Sequence, residues 1–132
     1  MADRIGIMTG GGDCPGLNAV IRAIVRKSVK DYHYEVLGFQ SGWKGVIEKN
    51  FKILSRDSVS GILHKGGTII GTSRTNPLKI DDGIQTIVNN IKNLDLQALI
   101  AIGGEDTLGV AKVLSENGVN VVGVFIFIVR RS

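Results

Sequence analysis

Short apolar runs alternate with amphipathic stretches along this chain. Ile5-Gly6-Ile7-Met8 is an uninterrupted apolar run of buried-strand length. From Leu17 the period becomes helical, and a helix is predicted over 15–30 with Ile21, Ile24, Val25 and Val29 facing inward. Glu35–Phe39 reads as a second strand and Phe51–Leu54 as a short edge strand. Asp57 reads as the cap of a helix over 57–63, closed by Gly66-Gly67. Ile84, Ile87, Val88, Ile91 and Leu94 form a helical stripe. A strand over 98–102, a helix over about 108–117 and a last strand over 119–124 complete the pattern. The segment 40–50, with Gly42 and Gly45 flanking Trp43-Lys44, reads as loop, as does the polar stretch 72–79 with Pro77. Strands alternating with helices imply an α/β fold with a parallel sheet and right-handed crossovers.

Composition narrows the class. At 132 residues the chain is one domain's worth, with 43% hydrophobic and 21% charged residues, an ordinary globular balance. The net charge is +4, and Arg130 and Arg131 supply two of those charges. The remainder is too mild and dispersed for a nucleic-acid surface, and it suits small phosphorylated ligands. Arg22, Arg26 and Lys30 share one helix face, read as a solvated face. One cysteine, Cys14, excludes an internal disulfide and fits a reducing compartment. It reads as a small inert side chain rather than a reactive thiol. No apolar signal core and no run of ~18 apolar residues occurs, so a cytoplasmic protein away from membranes is expected.

The chemistry is carried by two glycine turns. Thr9-Gly10-Gly11-Gly12-Asp13-Cys14-Pro15-Gly16 joins the first strand to the first helix. Bare backbone approaches a ligand closely, and Asp13 or Cys14 suits a helix N-cap. Exposed N–H groups and a helix N-terminus make an anion site there, against the alternative of a tight connection without a ligand. Gly103-Gly104-Glu105-Asp106-Thr107 repeats the device after the strand over 98–102. Ligands of open α/β sheets sit at that edge. Two acids beside a phosphate call for a hard cation between them, and Mg²⁺ is held by one or two carboxylates plus substrate phosphates. The competing reading is a pair of acids favoured by the helix dipole. Neither G-x-x-x-x-G-K-[ST] nor G-x-G-x-x-G is present.

Thr9 to Asn18, Arg22, Gly66-Gly67-Thr68-Ile69-Ile70-Gly71-Thr72-Ser73-Arg74 and Gly103 to Thr107 together resemble the N-terminal part of a 6-phosphofructokinase, in order and in register from about Arg4 to Val124. The resemblance implies an open, mostly parallel, doubly wound sheet with helices on both faces. It implies phosphoryl transfer from a donor to fructose 6-phosphate, with Mg²⁺ as cofactor and a homo-oligomeric parent enzyme. Arg74 looks like the arginine that contacts the transferred phosphoryl group; a planar, permanently charged donor fork suits that task. Arg74 and Asp106 are the candidate catalytic residues. Gly11, Gly12, Gly104 and Thr107 join them as donor-phosphate contacts, and Glu105 stands where the family places its Mg²⁺-binding acid. ATP-dependent relatives usually carry glycine where Asp106 stands, so this position implies pyrophosphate as donor, with ATP the alternative. Arginines resembling Arg22 and Arg26 bind a nucleotide effector in allosteric relatives. Trp43 stands where relatives place donor contacts, with packing as the simpler assignment.

After Val124 the register is lost. The family continues with a Thr-Ile-Asp-Asn-Asp motif carrying the base for the sugar hydroxyl, whereas Phe125-Ile126-Phe127-Ile128-Val129-Arg130-Arg131-Ser132 follows here. The chain therefore divides into a donor-binding part, 1–124, and an apolar, basic tail, 125–132. No acid follows Glu116, so the expectation is a truncated or frameshifted chain, inactive alone. A non-catalytic phosphate-binding or interaction module is the alternative of another class.

Overall fold

The computed structural model describes residues 3–11, 16–62 and 67–126. Among the described residues five strands form one sheet: β1 (Arg4–Thr9), β2 (Glu35–Phe39), β3 (Phe51–Leu54), β4 (Leu96–Gly103) and β5 (Val121–Phe125), in the order β3-β2-β1-β4-β5. β1 runs parallel to β2 and β4, β4 runs parallel to β5, and the edge strand β3 is antiparallel to β2. Among the described residues four α-helices accompany them: α1 (Leu17–Tyr32), α2 (Trp43–Glu48), α3 (Gly83–Asn93) and α4 (Glu105–Glu116).

The central strands are apolar on both sides because both sides are covered. On one face, Ile5, Ile7 and Ile102 pack against Leu17, Ile21 and Val25 of α1 and against Val59, Ile62 and Ile70. On the other, Met8, Phe39, Leu99 and Ala101 pack against Trp43 and Val46 of α2, Ile87 and Ile91 of α3, and Val110 and Leu114 of α4. The sheet is thus doubly wound as expected, with Ile24 and Val29 half-buried at the margin of the α1 stripe.

Three local expectations are corrected. The segment 40–50 is not all loop, because Trp43–Glu48 form α2. Gly45 lies where a Cβ would fall 2.0 Å from the Gln40 carbonyl oxygen, so a glycine admits this tight reversal. Residues 56–61 form turns rather than a helix. There Ser55 and Ser58 exchange backbone-to-hydroxyl hydrogen bonds of 3.0 and 3.2 Å, a local pairing that competes with helix formation. α1 is capped by Gly16 at φ 96 with no side-chain cap, rather than by Asp13 or Cys14, which lie outside the described residues with Gly12 and Pro15.

Candidate functional site

The connections place the site. The chain leaves β1 for α1 on one face of the sheet and leaves β4 for α4 on the other. The carboxyl ends of two neighbouring parallel strands therefore diverge, and a crevice opens between them. Gly10 and Gly11 follow β1 there; Gly103 closes β4 and Gly104 follows it. Gly10 N–H donates to the Ile102 carbonyl at 2.8 Å, which aligns the two turns side by side. Their approach is close because neither carries a Cβ. One on Gly10 would lie 2.1 Å from Thr107 Oγ1, and one on Gly103 would lie 2.7 Å from the Gly10 carbonyl oxygen.

α4 begins at Glu105, three residues earlier than the periodicity suggests. Glu105 and Asp106 thereby occupy its first turn, exposed, while Thr107 is buried beneath the glycine turns. Carboxylates are stabilised at that end of a helix by the dipole alone.

Arg74 arrives from a third direction. Thr9 Oγ1 donates to the Gly71 carbonyl at 2.9 Å, which leaves Thr68 to donate to Thr9 Oγ1, also at 2.9 Å. Ser41 N–H reaches the Ile70 carbonyl at 2.8 Å, and Ile69 N–H reaches Asn18 Oδ1 at 2.8 Å. The loop before Arg74 is thus tied to the ends of β1 and β2 and to α1. Gly42, at φ 63, fits between them: a Cβ there would stand 3.2 Å from both the Thr9 carbonyl oxygen and the Ser73 nitrogen.

The result is a cleft of about 970 Å³ whose walls include Gly10, Gly11, Trp43, Arg74, Lys79, Asp106 and Thr107. Five residues singled out from the sequence, Gly11, Trp43, Arg74, Asp106 and Thr107, therefore line one cavity. Gly104 lies just behind the wall, its nitrogen 3.9 Å from a Cβ built on Gly11. Glu105 is not part of the lining, and Gly12 lies outside the described residues. Lys79 was missed. It sits in a short 3-10 turn, Pro77–Lys79, within a stretch that reads as featureless polar loop. Pro77 at its start was the one available signal, since proline pre-sets the first turn. With Arg74, Lys79 and Asp106 in its lining, the cleft presents two cations and one acid, a balance that suits an anion accompanied by a cation.

A profile described as Phosphofructokinase matches residues 4–128. The chain belongs to the phosphofructokinase family. It is similar, at 57% identity over 122 residues, to a pyrophosphate–fructose 6-phosphate 1-phosphotransferase of Streptomyces coelicolor, covering 92% of this chain and 36% of that protein. ATP-dependent 6-phosphofructokinase 3 of the same organism is 51% identical over 121 residues, with the same shares covered. The crystal structure of Pichia pastoris phosphofructokinase in the T-state superimposes with a TM-score of 0.80 at 33% identity, over 88% of this chain and 13% of that one. The chain thus spans about a third of the length of the curated phosphofructokinases it matches.

A second, shallower cleft of about 550 Å³ lies along α1, walled by Arg22, Arg26, Arg56, Asp57 and Ser60 among others. Arg26 and Lys30 are exposed, as a solvated face requires, while Arg22 is half-buried; Arg56 joins Arg22 and Arg26 from the turn after β3. Among the described residues no group of three or more His, Cys, Asp or Glu side chains could hold a metal by itself, and no helix is long and apolar enough to cross a membrane.

Proposed function

We propose that these residues bind the phosphoryl donor of a phosphofructokinase reaction, and that the donor is pyrophosphate. The observation that carries this reading is the presence of Asp106 in the wall of the same cleft as Arg74 and the Gly10-Gly11 turn. A nucleotide carries a third phosphate and an adenosine beyond the transferred group. A carboxylate at the first turn of α4 occupies the path they would take and repels their charge. The cavity volume does not select, since about 970 Å³ accommodates either donor. The names of similar proteins include both donors.

Magnesium fits the donor set. Mg²⁺ takes one or two carboxylates and fills its remaining positions with phosphate oxygens and water. Asp106 in the cleft wall would supply one such carboxylate, so a three-acid cage is not required; Glu105, the acid expected to hold the ion, precedes it on α4 outside the lining. When bound, the ion would neutralise charge on the phosphate oxygens. Arg74 is the positioned cation for the transferred group, and Gly11 in the cleft wall offers it bare backbone. The acceptor, by the names of the relatives, is fructose 6-phosphate. These 132 residues contain no acid after Glu116, so donor binding without turnover on the sugar is proposed for them alone.

Calorimetry with magnesium pyrophosphate and magnesium ATP tests the reading. Pyrophosphate is expected to bind more tightly than ATP, and Asp106→Gly to narrow or reverse the difference. A native chain that prefers ATP refutes the donor assignment. A chain that binds neither favours a module without a donor site.

A further inference from the structure

The glycine that ends α4 leaves its neighbour open to chemistry. Asn117 is the C-cap of the helix at φ -99, and Gly118 follows at φ 90, the left-handed backbone that favours glycine. Gly118 N–H donates to the Ser115 carbonyl at 3.1 Å and Val119 N–H to the Leu114 carbonyl at 3.0 Å, with Val119 and Leu114 buried in the same core. These paired bonds and the apolar residues beside them turn the chain from α4 toward β5. The fold thus calls for glycine at 118, and the backbone after Asn117 is left unshielded: a Cβ built on Gly118 would meet nothing within 4 Å. Both residues are exposed, and they form the one Asn-Gly pair among the eight asparagines of the chain.

We propose that Asn117 is a modification site, converting spontaneously to aspartate and isoaspartate at a rate set by opening of the last turn of α4. Gly118 N gives up its proton to water and attacks Asn117 Cγ. The Cγ–Nδ2 bond breaks, ammonia leaves and a five-membered imide forms. Water then adds to either imide carbonyl and breaks one of the two ring C–N bonds, leaving aspartate or isoaspartate. Water is the only co-reactant, and nothing is oxidised or reduced. A branched side chain after the asparagine obstructs ring closure, as Val121 does after Asn120, whereas Gly118 does not. In the closed turn both reacting groups are engaged, since Gly118 N–H is held by Ser115 and Asn117 Nδ2 donates to the Val113 carbonyl at 2.8 Å. These bonds lie at an exposed helix end, where local opening is easiest, so the reaction runs through the frayed turn. The product weakens that turn. A carboxylate has no N–H for the Val113 carbonyl, and it sets a negative charge beside Glu116 at the negative end of the helix.

Mass spectrometry of peptide 113–130, released by trypsin after Lys112 and Arg130, reads Asn117 and Asn120 separately through their fragment ions. During incubation at mildly alkaline pH in guanidinium chloride, Asn117 should convert well ahead of Asn120. In native buffer at the same pH its conversion should be about tenfold slower, the factor expected for losing the two closing bonds. Asn117→Asp should lower the thermal midpoint by about 4 °C. The wild-type rates need no variant, so they decide the matter even where Asn117→Asp fails to fold. Conversion of Asn117 no faster than that of Asn120 in denaturant overturns the site. Equal rates in native and denatured chains overturn control by the closed turn. A midpoint unmoved by Asn117→Asp overturns the effect on α4.

Discussion

The packing of Gly10 against Thr107 offers the sharpest test of how the two glycine turns are joined. Gly10 has no left-handed φ, so alanine fits its backbone and should gain about 0.4–1 kcal/mol by restricting the unfolded chain. Against that gain stands a Cβ placed 2.1 Å from Thr107 Oγ1 and 3.2 Å from Thr107 Cβ and Cγ2. Thr107 is 4% exposed and β-branched, so rotation about χ1 only exchanges one branch for the other. The neighbour must shift, at an overpacking cost of about 1–3 kcal/mol. Net destabilisation by Gly10→Ala is therefore about 1–2 kcal/mol, or roughly 4 °C per kcal/mol for a chain of this size. Thr107→Ala alone should cost about 1 kcal/mol for the buried methyl it deletes. In the double variant the nearest remaining contact is the 3.2 Å one to Cβ, which a movement of a few tenths of an ångström relieves. The double variant should then be no less stable than Thr107→Ala, a coupling of about 1–2 kcal/mol. Urea unfolding followed by circular dichroism, at constant m-value, measures all four corners of the cycle. Effects that add within about 0.5 kcal/mol would refute direct packing between the two turns.

Arg74→Ala should abolish measurable pyrophosphate binding while leaving the thermal midpoint nearly unchanged, since Arg74 is exposed at the cleft wall; a shifted midpoint would give it a structural role instead. Asn90→Leu deletes two hydrogen bonds to α2 carbonyls at a buried position and should destabilise the fold by about 2–3 kcal/mol, read as a lower urea midpoint. The hydrogen bond from Lys27 holds the Asp31 carboxyl below its ordinary value of 3.8. A depressed folded value stabilises fully above about pH 4 and is lost as pH falls through it. The stability difference between wild type and Asp31→Asn should therefore vanish at more acid pH. High salt should also erase it, because both groups are fully exposed; persistence in salt would point to a different partner.

Most elements were legible in the sequence because their signal is local. β1, β2 and β3 are short apolar or alternating runs, and α3 shows its stripe within eleven residues. The two glycine turns were legible for the same reason, since each sits directly after a strand. That both lead into one crevice followed from strand–helix alternation, which leaves parallel pairing of β1 with β4 as a natural outcome. α2 was not legible. Six residues are too few to hold a helix by propensity, and its terminal carbonyls are satisfied by Asn90, more than forty positions away. The turns at 56–61 were misread in the opposite sense: Val59 and Ile62 face a core as a helix stripe would, yet two serines take the backbone bonds. The start of α4 at Glu105 depended on contacts of Thr107 with Gly10 and Gly103, not on any nearby cap. Within the cleft, Arg74 and Asp106 could be named from their own neighbours in sequence. Lys79 could not, because a side chain's access to a cavity exists only once distant segments have been packed around it.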